Sequence, residues 1–215
     1  MHILRTALVL VAAFALTQLP SPSLTARGQS THKPGDNHTM PMPRGGMTAK
    51  SAMTRDQKIA NATTAAPAAV SAKATVLDWP AREGEKPPVL RAGTNGWNCL
   101  PDMPDTEGND PMCLDASWMK WVDAYMSKTQ PSITSVGIGY MVAAGGSHGS
   151  NSDPYAMKAT GDNQWAHHPP HIMIVVPDLK SLEGMSTDPA NGGPYVMYKG
   201  TPYAHIMAPT ASGHK

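Results

Sequence analysis

Leu114-Asp-Ala-Ser-Trp-Met-Lys-Trp-Val-Asp-Ala-Tyr-Met-Ser-Lys128 is the stretch on which the fold turns. Asp115 is a natural N-cap. Trp118, Trp121, Val122, Tyr125 and Met126 then recur at i, i+3, i+4, i+7 and i+8, one apolar stripe along a helix. Lys128 falls in the last turn, where a cation suits the helix dipole, and Pro131 follows the end. The stripe reads as a core face. No other stretch has this periodicity, so a single main helix has to be covered by strands.

Strand signals flank it. Ile133 to Ala143 reads as a strand, and its glycines at 137 and 139 permit close backbone approach. His171-Ile-Met-Ile-Val-Val176 is an uninterrupted apolar run between Pro170 and Pro177, the pattern of a central strand covered on both faces. Tyr195–Tyr198 and Tyr203–Met207 read as a hairpin, with Pro202 placing its second strand at an edge. Val76, Leu77 and Trp79 open the ordered part, and Val89-Leu90 suits a short strand. Residues 144–170, rich in Gly, Ser, Asn, Asp and Pro, read as a long loop. The expectation is α+β: a small, mainly antiparallel or mixed sheet of four or five strands packed by one main helix, with long loops.

The chain has 215 residues, 15% charged and 40% hydrophobic, with 21 Pro and 19 Gly. Its net charge of +1 gives no case for nucleic acid. There is no Walker A loop, Rossmann glycine pattern or HExxH motif. Two cysteines cannot build a Cys₄ zinc site.

The amino terminus follows the plan of a secretory signal peptide over residues 1–26. Arg5 gives a positive start, Ala7–Leu16 is uncharged and apolar, and Pro20 to Ser23 break the run. A spanning helix needs about 20 apolar residues, so no transmembrane segment is expected after cleavage. The destination is periplasmic or extracellular. Residues 27–73 contain no aromatic residue, and Ile59 and Val70 are their only branched aliphatics. Such a segment is expected to be a disordered tether. It carries seven Lys/Arg against two Asp, a net of +5, whereas residues 74–215 carry nine against fourteen acids, a net of −5. Three uses fit the tether: contact with its own domain, contact with an anionic surface, or a solvated spacer. Residues 74–215 are expected to form a single globular domain.

Five sites are candidates for chemistry. Cys99 and Cys113 pair as a disulfide in an oxidising compartment. The loop between them holds Asp102, Asp105, Glu107 and Asp110, oxygen ligands suited to calcium, although a turn-rich loop with Asx-turns explains the same residues. In the tether, His38, Met40 and Met42 offer soft donors to copper. In the domain, His171 and His205, joined by one of Asp153, Asp162 or Asp178, suggest a transition-metal site. Finally, Gly145-Gly-Ser147-His148-Gly149 matches the G-x-S-x-G pattern of a serine hydrolase, with Asp153 or Asp178 as the acid and His171 or His205 as the base. A plain Gly/Ser loop accounts for that motif too.

Five blocks together carry a resemblance: Trp97-Asn-Cys99-Leu-Pro-Asp102, Asn109-Asp-Pro-Met-Cys113-Leu-Asp115, Asn151-Ser-Asp-Pro154, His171 to Pro177 and Gly193-Pro-Tyr-Val-Met197. Over roughly residues 74–210 the chain resembles a group of exported bacterial proteins of unknown function. The resemblance implies one exported domain and no particular activity. The leading expectation is a non-enzymatic envelope or extracellular binding domain. Metal binding and serine hydrolysis are the alternatives.

Overall fold

The structure is a computed structural model, and it describes residues 52–210 apart from Glu83, Asp105 and Glu107. The signal segment and the His38/Met40/Met42 stretch therefore lie outside the described residues.

Two helices come first, α1 (Arg55–Thr63) and α2 (Ala68–Ser71). Four three-residue strands follow: β1 (Thr75–Leu77), β2 (Val89–Arg91), β3 (Asn98–Leu100) and β4 (Met112–Leu114). Next come α3 (Ala116–Met126), β5 (Gly137–Met141), β6 (Ser147–Ser150), β7 (Trp165–His168) and β8 (His171–Val175). A 3₁₀ turn (Leu179–Leu182), β9 (Tyr195–Met197) and β10 (His205–Pro209) complete the order. Eight strands form one mixed sheet in the order β2-β1-β3-β4-β5-β8-β10-β9, and β6 pairs with β7 as a separate hairpin. Among the described strands, only β1 and β3 run parallel.

The fold class is therefore α+β as expected, but the sheet is about twice the expected size. Five of its strands are only three residues long. Such strands hold through their neighbours' ladders and leave almost no alternation to read. The loop expected over 144–170 contains the β6–β7 hairpin, a second correction. A third concerns Pro202: β10 begins at His205 and lies between β8 and β9, so Pro202 sits in the turn and β9 is the edge.

The main helix forms where its stripe predicts. The Asp115 carboxylate caps it by accepting the Trp118 N–H at 2.9 Å. Trp118 and Trp121 are buried against Leu114, Met173, Val175, Tyr203 and Met207. Gly139 is needed there, since a Cβ at that position would stand 2.9 Å from both Leu114 and Met173. The helix ends at Ser127, and Lys128 lies just beyond it with φ of 54°, so it is not part of the last turn.

Residues 55–71, assigned to the tether by their composition, are folded. Thr54 and Gln57 form a reciprocal capping box at the start of α1. Lys58 pairs with Asp78 of the strand region at 2.7 Å. Ala62, Ala65 and Ala66 are buried with Val76, Leu90 and both cysteines. Alanine has the best helix propensity. Its small side chain also lets this helix lie close to the sheet, where little aliphatic bulk is required. The absence of large aliphatics was thus a poor guide to disorder.

Candidate functional site

β5, β8, β10 and β9 present one face to α3 and the β6–β7 hairpin. Their registers place Gly139, Met173, Met207 and Tyr195 in one row. Met141, His171 and Pro209 form the next row. Three histidines are buried here: His171 and His205 on the sheet and His168 at the end of the hairpin.

Each histidine has a different local task. His168 donates from Nε2 to the Gly149 carbonyl at 3.3 Å, which fixes Nδ1 as the acceptor of the Tyr195 hydroxyl at 2.7 Å. His205 donates from Nδ1 to the Tyr203 carbonyl at 2.9 Å. The edges and faces of Trp118, Trp121 and Tyr198 surround its ring, with centroids 5.1–5.5 Å away. His171 donates from Nδ1 to the Pro169 carbonyl at 2.6 Å. Its Nε2 is buried and has no hydrogen-bond partner. Burial disfavours the cation and holds all three imidazoles at a pKa of about 4, against the usual 6.5, even though backbone carbonyls favour protonation. All three are neutral at physiological pH.

The unpartnered Nε2 of His171 therefore carries a lone pair. It belongs to a crevice lined by Asn109, Asp110, Pro111, Met141, Ala143, Gly146, Ser147 and His171. The crevice is narrow: its empty space is about 160 Å³ counting the part open to solvent, and none of it is wide enough for the centre of a water molecule. A buried polar atom left unpaired costs about 1–3 kcal/mol. Gly145 and Gly146, at φ of 100° and 65°, turn the chain so that the hairpin closes over this space.

Several expected site residues meet here and others do not. Ser147 and His171 line the same crevice, but Ser147 opens a strand of a hairpin rather than sitting on a strand-to-helix elbow. The hydrolase geometry also lacks its acid. Asp153 and Asp178 accept backbone N–H groups of Tyr155 and Lys180 in their own turns. His171 and His205 share a sheet face but lie at opposite ends of the β8–β10 ladder, in which His171 pairs with Pro209. Four residues of strand, about 14 Å of backbone, lie between their positions, although His205 still acts electrostatically on His171. Asp162 is exposed in its loop. Among the described residues, no group of three or more His, Cys, Asp or Glu could hold a metal ion.

The acidic loop folds on itself. Asp102 accepts the Asp110 N–H at 3.0 Å, and Asp110 accepts the Met103 N–H at 3.1 Å. Burial, then hydrogen bonding to Asp102, raises the Asp110 pKa from 3.8 to about 6. Asp105 and Glu107, the other expected calcium ligands, lie outside the described residues. Asn61 of α1 pins the loop, accepting the Asp102 N–H at 2.7 Å and donating to Asn109 at 2.7 Å.

Cys99 and Cys113 are disulfide-bonded, directly opposite one another on β3 and β4. Sequence reasoning missed Met141 as the cross-strand partner of His171. It also missed Tyr195 as the partner of His168. Each pairing spans about thirty residues of chain, and no local pattern encodes it. A second concavity of about 480 Å³ lies along the end of α3, between Lys120 and Thr134. It is an open trough with no unpartnered buried atom on its lining. No helix among the described residues is long and apolar enough to cross a membrane. No protein-family model, curated protein or solved structure matches the chain.

Proposed function

We propose that this chain is an exported, disulfide-bonded binding domain whose ligand meets it at the His171 crevice. The observation that carries this reading is the buried Nε2 of His171. The Nδ1 hydrogen bond to Pro169 leaves it a free lone pair, and its residue lines a crevice with other polar groups. The disulfide suits an oxidising compartment, and the amino-terminal sequence suits export. Binding fits better than acyl transfer. The Nδ1 position that an orienting carboxylate would need is occupied by a carbonyl, and the Asp110 carboxyl serves Met103 and Asp102.

The test is native mass spectrometry of the protein purified from its own envelope fraction, without chelators or affinity histidines. A bound adduct is expected in the wild type and absent after His171→Gln or Ala143→Val, which remove the donor or fill the crevice. An adduct that survives both substitutions, or none in the wild type, overturns the reading. Intact mass on the same sample reports cleavage near residue 26, and an uncleaved chain in the cytoplasmic fraction counts against export.

A further inference from the structure

We propose that the crevice is a soft-metal site, in which the Nε2 of His171 and the thioether of Met141 bind a monovalent ion, Cu(I). This rests on the crevice being the binding site.

Met141 and His171 are directly paired across β5 and β8, and both line the crevice. Directly opposed residues on an antiparallel pair hold their Cβ atoms about 4.5–5.5 Å apart on the same face. The residues bearing one imidazole and one thioether thus share a sheet face and line the same small space. The His171 ring is already set as metal-ligating histidines are, with its other nitrogen donating to a backbone carbonyl that fixes tautomer and orientation.

The donor set then selects the ion. Zinc in a structural site takes four N, S or O ligands. Calcium takes six or more oxygens. Cu(II) prefers tetragonal nitrogen and oxygen. Oxygen groups of Asn109, Asp110 and Ser147 also line the crevice, but Asp110 accepts the Met103 N–H and Asn109 accepts from Asn61, and the described residues offer no group of three or more His, Cys, Asp or Glu. A thioether ligand selects Cu(I). Size points the same way. A water molecule needs about 2.8 Å to each partner, whereas metal–nitrogen and metal–sulfur bonds are about 2.0–2.3 Å. The crevice has no part wide enough for the centre of a water molecule, a spacing nearer the length of a metal–ligand bond than that of a hydrogen bond to water. Core packing explains where the Met141 side chain lies, because it touches the main apolar cluster. Packing gives no reason for the unpartnered nitrogen beside it.

The test uses the full mature chain with its disulfide intact and Ag(I), the redox-inert stand-in for Cu(I), added as nitrate in chloride-free buffer. The readout is the imidazole nitrogen NMR spectrum, because His38, Met40 and Met42 carry the same donor types and stoichiometry alone would mix the two. The His171 Nε2 resonance is expected to move on Ag(I) addition while the Nδ1–H proton stays in place. Cu(I) under anaerobic ascorbate should move it the same way. Met141→Leu, close to isosteric, removes a proposed ligand and should weaken that response by more than the roughly 10–100-fold known for loss of a group that only supports a ligand. His171→Gln should abolish the corresponding binding step, and if that variant does not fold, Met141→Leu decides. An unmoved His171 resonance at saturating Ag(I), or a Met141→Leu response equal to wild type, overturns the proposal. If the native adduct is lost on His171→Gln while Ag(I) leaves His171 untouched, the metal is wrong and the crevice reading stands. If neither is seen, both fall.

Discussion

Asp115 and Ile138 are bound to each other twice. The Asp115 N–H donates to the Ile138 carbonyl at 3.1 Å, and the Ile138 N–H donates to Asp115 Oδ2 at 2.6 Å. The other carboxylate oxygen caps α3. One side chain thus fixes both the start of the main helix and its docking on β5. Asp115→Ala should lose the cap, worth about 1 kcal/mol, and orphan a backbone N–H, worth about 1–3 kcal/mol. Asp115→Asn keeps one acceptor and should recover part of the loss. Urea unfolding of the two variants checks the order; equal stability of Asn, Ala and wild type would refute the dual role.

The buried histidines make stability fall in acid. Their folded pKa values, about 4, lie below the unfolded 6.5, so the unfolded chain binds more protons between these limits. Their contribution is full above pH 6.5 and is lost as pH falls towards 4. Asp110 acts in the opposite sense, because its folded value of about 6 lies above 3.8. Three imidazoles against one carboxyl leave a net uptake of about two protons near pH 5. Unfolding free energy should then drop by about 2–3 kcal/mol per pH unit there. Chemical denaturation at pH 7, 6 and 5 measures this, and a flat profile would contradict neutral burial.

The hairpin turn gives a paired test at adjacent glycines. A Cβ at Gly146 would meet the His168 carbonyl oxygen at 2.2 Å, at a φ of +65°. Gly145, also at positive φ, has nothing within 4 Å of such a Cβ. Gly145→Ala should cost about 1–2 kcal/mol from backbone conformation alone. Gly146→Ala should cost roughly 3 kcal/mol or more and push the hairpin off the sheet. Thermal melts separate the two, and the His168–Tyr195 hydrogen bond, followed by NMR, should be lost only in Gly146→Ala.

The disulfide closes a loop with a sequence separation of 14. Cys99→Ala with Cys113→Ala should cost about 3 kcal/mol in the chain-entropy picture. Both sulfurs are buried, at 0% exposure. Mild reductant should therefore leave the folded protein's bond intact and break it on unfolding, as timed thiol labelling would show.

The sequence was legible where one element carries its own signal. Asp115 and the tryptophan stripe announced α3, the apolar run at 171–176 announced β8, and the two cysteines announced their bond. It was opaque where pairing at a distance makes the structure. Asn98–Leu100 or Met112–Leu114 is a strand because a neighbour supplies the ladder, not because three residues alternate. Ser147–Ser150 looked like loop because its glycine and serines have low strand preference; its pairing with Trp165–His168 overrides that. The site shows the same division. Ser147 and His171 could be named singly, but their shared crevice, and the place of Met141 in it, depends on the order of strands in the sheet.

The burial of the cysteines under α1 controls access to their bond. The sulfur of Cys113 lies 3.6 Å from the Ala62 carbonyl, and alanines of α1 and of the turn after it cover both cysteines. A docked Arg55–Thr63 bars a bulky oxidant or reductant from those sulfurs, so such a reagent can make or break the bond only before that helix closes over it or while it is locally open.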